Sequence, residues 1–84
     1  MRVDDVSLEE DIREEARKVR RLQVVVSLVM NVVAQSDIPF EEAANLITET
    51  RQFALQMFPD KGATYDLIYA PRFRRLMAEK YRIV

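Results

Sequence analysis

The residues best equipped for chemistry cluster near the C-terminus. Arg72-Phe73-Arg74-Arg75, preceded by Tyr69 and followed by Lys80, Tyr81 and Arg82, combines cations and aromatic rings. Such a set could neutralise phosphates and stack on bases, which makes Arg72, Arg74, Arg75, Lys80 and Arg82 candidate contacts for an anion or a nucleic acid. The plainer reading, which the sequence favours, puts the rings in a core and pairs the arginines with carboxylates of the same or a second chain. A net charge of −1 gives the chain no general attraction to polyanions.

Three other groups bear on chemistry. Asp4, Asp5, Glu9, Glu10 and Asp11 could face a hard cation, but they lack the glycine-containing spacing of a calcium loop, and acids at a helix start are ordinary partners of its dipole. Gln23, Ser27, Asn31 and Gln35 recur at intervals of four, one narrow stripe of a helix. That stripe could hold a polar ligand or set the register of two paired helices, although the solvent edge of a mostly buried helix is the expected role. The neighbouring pairs Glu14-Glu15 and Glu41-Glu42 point to different sides of a helix and cannot flank one bond. With no His, no Cys and one Gly, the chain offers no imidazole or thiolate metal site, nucleophile elbow or phosphate-cradling loop. We therefore expect no enzyme, no cofactor and no small-molecule substrate.

The elements that position these residues follow from periodicity. Leu22 to Ala34 is a run of thirteen uncharged, valine-rich residues. Valine also favours strands. The four-residue polar repeat, and an amphipathic pattern running from Ser7 with no Gly or Pro, decide for helix. Ser7-Leu8-Glu9-Glu10 has the form of a capping box. Leu8, Ile12, Ala16, Val19, Val26 and Val33, with Leu22 and Val29 alongside, draw one apolar face. At 1.5 Å per residue the helix would reach roughly 40 Å, longer than the ~30 Å diameter of a compact domain of this size. Its ends must project or be covered by a second copy.

A second helix is expected after Ser36-Asp37-Ile38-Pro39, with Asp37 as cap and Pro39 in the first turn. Pro59 should stop it, and Gly62 is read as a turn residue able to take a positive φ. A third helical region opens at Thr64 and meets Pro71, where a kink or restart is expected.

Eighty-four residues make one domain, small enough that a partner chain is a live expectation. Charge is blocked along the chain: residues 1–15 carry seven acids against two bases, residues 16–35 four bases and no acid. Residues 36–66 are again acidic and residues 67–84 basic. Blocks of this kind can complement one another when folded or assembled. The N-terminus Met1-Arg2-Val3-Asp4-Asp5 does not read as a secretory signal, and the valine-rich run falls short of the roughly 20 apolar residues a membrane span needs.

The sequence thus predicts an all-α bundle: a tail over 1–6, helix over 7–35, an antiparallel helix over 38–58, and a helical region over 64–82 kinked at Pro71. The expected function is cytoplasmic protein interaction, with homodimerisation through Leu22, Val25, Val26, Val29, Met30 and Val33 and room for an unidentified protein partner. No membrane is expected. An accessory anion- or nucleic-acid-binding role for the basic C-terminal helix is the alternative.

Overall fold

A computed structural model describes residues 3–82, with side chains from residue 7 to residue 82. Four helices follow in order: α1 (Val3–Gln35), α2 (Phe40–Met57), α3 (Gly62–Ile68) and α4 (Ala70–Tyr81). Among the described residues there is no strand, so the chain is a small all-α bundle.

α1 begins earlier than the capping box suggests. No Gly or Pro precedes Ser7 to stop propagation, so the helix runs on to Val3 and Ser7 lies inside it rather than at its cap. Its 33 residues correspond to about 50 Å of helix. α2, by contrast, begins later than expected. Pro39 pushes the residue before it toward extended geometry and itself sits at φ −64°, ψ 156°, so the helix starts only at Phe40, with Pro39 O accepting its first bond from Ala43 N–H at 3.2 Å, and Asp37 makes no cap. The same effect ends α2, because Phe58 precedes Pro59 and leaves the helical region at φ −134°, ψ 76°.

Gly62 does not take a positive φ. It opens α3 ahead of Thr64, and its missing side chain matters for another reason: a Cβ there would lie 3.3 Å from Leu55 Cδ2, so glycine lets α3 start close against α2. The break between α3 and α4 is a single residue, Tyr69, just ahead of Pro71. Pro71 has no N–H for the Leu67 carbonyl. Around it the chain stays nearly helical, with Tyr69 N–H donating to Tyr65 O at 2.8 Å and Phe73 N–H to Tyr69 O at 3.1 Å.

The helices close on two linked apolar clusters. Leu22 and Val26 of α1 meet Ala54 of α2, Tyr65 of α3, Tyr69 at the break between α3 and α4, and Phe73 of α4. Val33, Ala43 and Met77 form the second, nearer the far end of α1. Alanine at the two α2 contact points brings that helix close to its neighbours. Thr50 is buried too, its hydroxyl satisfied by donating to Leu46 O at 2.7 Å.

Only part of α1 takes part in this packing. Every residue from Ser7 to Arg21 is exposed. The molecule measures 57 × 22 × 17 Å and its radius of gyration is 16.2 Å, against about 12 Å for a compact chain of this length. The N-terminal half of α1 is an arm projecting from the bundle.

Candidate functional site

The valine-rich stretch carries apolar residues on opposite sides, and α2 to α4 can cover only one of them. They cover Leu22, Val26 and Val33, which are fully buried, while Val25, Val29 and Met30 are half-buried, the last two packed against the core. Five of the six residues expected to meet a second chain are thus engaged within their own, and Val25 lies half-covered. Three of them could serve an interface only if the bundle opened. The apolar surface left to a partner on this half of α1 is the reverse side: Val24, Leu28 and Val32 are exposed. Gln23, Ser27, Asn31 and Gln35 are exposed as well, a solvent edge running beside that stripe.

The arm presents a second apolar line. Leu8 and Ile12 are each 59% exposed and Val19 is 40% exposed. Where the arm joins the bundle, an apolar groove is lined by Val19, Leu22, Phe58, Tyr65, Ile68 and Tyr69, with Glu15 on its rim. Pro59 ends α2 so that Phe58 forms one wall, and α3 brings Tyr65 and Ile68 to the other. A second apolar groove lies between α2 and α4, around Phe40, Ile47, Phe73 and Met77, with Arg51 and Arg74 at its edge.

Tyr65 borders both grooves. Its hydroxyl is buried without a hydrogen-bond partner, and burial pushes its ionisation above the usual tyrosine range. Nearby, Arg51 of α2 grips Asp66 of α3 with a two-pronged contact, Nε to Oδ1 at 2.8 Å and Nη2 to Oδ2 at 3.0 Å. That hydrogen bond holds the Asp66 carboxyl below its ordinary range and the Arg51 guanidinium above its own, with Arg74 adding to the first effect. The pair is half-exposed and links α2 to α3.

The basic residues of α4 do not converge on one site. Lys80 Nζ donates to the carbonyls of Val33 and Ser36, where α1 ends with unpartnered C=O groups and the negative end of its dipole. Beside it, Tyr81 OH donates to Ile38 O at 2.8 Å. Arg72 lies 5.9 Å from the centre of the Tyr69 ring, and Arg74 sits within range of Asp66. Arg75 and Arg82 are exposed. The role of Lys80 was open to sequence only as a cation of no fixed address, because its partners lie more than forty residues away.

Among the acids, Glu9, Glu10 and Asp11 are exposed, while the side chains of Asp4 and Asp5 lie outside the described residues. Among the described residues no group of three or more His, Cys, Asp or Glu comes together to hold a metal ion. Nor, among them, is any helix long and apolar enough to cross a membrane. No protein-family model, curated protein or solved structure matches the chain.

Proposed function

We propose that this protein is a small helical interaction module that self-associates through the apolar surface α1 keeps outside its own bundle, and that it works in the cytoplasm, a setting compatible with a chain free of cysteine. One observation carries the reading: α1 is about twice as long as the bundle that covers it, and both its projecting arm and the reverse of its valine-rich half bear exposed Leu, Ile and Val. Residues of this kind in contiguous lines favour contact with another helix over contact with water. Relative to the sequence expectation, the surface shifts from Leu22, Val26 and Val33 to their exposed counterparts.

The chain has a mass of 9.9 kDa. Light scattering on the eluting peak at micromolar concentration should return about twice that value or more. A monomer mass held across the concentration range would overturn the reading.

A further inference from the structure

The apolar positions of α1 continue without interruption from the bundle into the arm. Leu8, Ile12, Val19, Leu22, Val26, Val29 and Val33 follow alternating steps of four and three, with Glu15 filling the one remaining position. That is the spacing of a seam between two helices, with β-branched residues at one set of positions (Ile12, Val19, Val26, Val33). From Leu22 onward, α2 to α4 fill the seam. Along the arm the cover runs out: Val19 borders the groove beside Phe58 and Tyr65 yet stays 40% exposed, and Leu8 and Ile12 are each 59% exposed.

Charge decides what fits there. Glu9, Glu10 and Asp11 lie at the outer end of the described arm, and Arg17, Lys18, Arg20 and Arg21 lie at its root; all are exposed. Two arms laid side by side in the same direction would set acid against acid, base against base, and Glu15 against its own copy on the seam. Laid in opposite directions, each acidic end meets a basic root. From this geometry we infer that the arm pairs antiparallel with the arm of a second copy, an inference that rests on the self-association proposed above.

The register follows from the seam. Leu8 comes level with Val19 of the second copy and Ile12 with Glu15 of the second copy, which sets Asp11 beside Lys18 of the second copy twice over, once on each side of the two-fold axis. Leu8 then arrives at the mouth of the other copy's groove, beside Ile68, half of whose surface is exposed. The groove prolongs the seam at the level where the arm of the second copy would run, and it supplies apolar cover for that arm's outer end.

The absence of cysteine among these 84 residues allows a direct test on the chain. Leu8→Cys and Val19→Cys proteins are prepared separately, mixed, and treated with a short bis-maleimide, with light scattering on the same samples. The antiparallel register predicts mixed crosslinks between the two variants and few within either, because identical sites then lie about 16 Å apart along the axis. Like-site crosslinks in a dimeric sample would overturn the antiparallel arm while leaving self-association standing. A dimer with no crosslink at all would place the contact elsewhere, on the reverse face of α1, and would also overturn it. A monomer would remove both proposals. Charge exchange supplies an independent readout: Asp11→Lys and Lys18→Asp should each weaken dimerisation about tenfold, and the double variant should recover it. Melting by circular dichroism verifies that each single variant folds. No recovery in the double variant would overturn the pairing.

Discussion

Val26 and Leu28 stand two positions apart in the same uncharged run, yet the bundle gives them opposite surroundings: Val26 is 1% exposed and Leu28 is 58% exposed. Aspartate at each should therefore have opposite consequences. At Val26 the change removes a buried side chain, a loss of about 1.5–3 kcal/mol, and leaves a carboxyl among Leu22, Ala54 and Phe73 with no cation in that cluster to pair with. An unpartnered buried polar group adds a few kcal/mol more, even when it is protonated. A domain of this length holds together by only about 4–12 kcal/mol in all, so Val26→Asp should abolish the cooperative urea transition. At Leu28 the same change costs roughly the difference in helix propensity, about 0.5 kcal/mol. Urea titrations followed by circular dichroism, run at concentrations low enough to keep chains apart, separate the two. A folded Val26→Asp protein with an ordinary midpoint, or an unfolded Leu28→Asp protein, would refute the placement of the core on the Leu22–Val26–Val33 side.

Three further outcomes follow from particular contacts. Lys80→Met keeps the apolar stem but leaves the carbonyls of Val33 and Ser36 without their charged donor, and should lower stability by about 1.5–3 kcal/mol in chemical denaturation. The Asp66 carboxyl is held low in the fold, so its contribution is present above the unfolded value of about 3.9 and is lost as pH falls through the folded value; Asp66→Asn should flatten the acid limb of a melting-temperature profile below that point and lower the plateau at neutral pH. For Tyr65 the sign reverses: its raised ionisation means stability holds below the unfolded value of about 10 and is lost as pH climbs through the folded one. Tyr65→Phe removes a hydroxyl with no partner, so at neutral pH it should lie within about 1 kcal/mol of the parent, on the stabilising side, and its melting temperature should fall less steeply above pH 10.

How far the sequence reaches is clearest along α1. The four-residue repeat of Gln23, Ser27, Asn31 and Gln35, joined to an amphipathic pattern unbroken by Gly or Pro from Ser7, made the segment helical and marked its solvent edge, because helical periodicity is written in local spacing. The apolar face drawn through Leu22, Val26, Val29 and Val33 is the side that α2 to α4 bury, but its spacing did not say whether that cover would come from the same chain or from a second copy. Val26 and Leu28 belong to sides that are alike in hydrophobicity, and the choice between them is made by where α2 and α4 arrive, which depends on the turns around Pro39 and Pro59. Those turns were visible, but their limits were not: Ser7, Asp37 and Thr64 each have the chemistry of a cap and none serves as one. Pro39 overrode Asp37, and the absence of any breaker before Ser7 let α1 extend past it. The break near Pro71 was legible because the missing N–H is a property of one residue, though the interruption settles on Tyr69. Contacts across the chain were the least accessible. Arg51 with Asp66, and Lys80 with the end of α1, pair across 15 and more than forty residues, so no local pattern announces them.

Self-association stands or falls on molar mass. Sedimentation equilibrium of the 84-residue chain from low to high micromolar concentration should give a weight-average mass rising toward twice the 9.9 kDa of one chain. A mass that stays at the single-chain value throughout, with α1 still helical, would mean that its exposed leucines and valines tolerate water unaided, and would contradict the account.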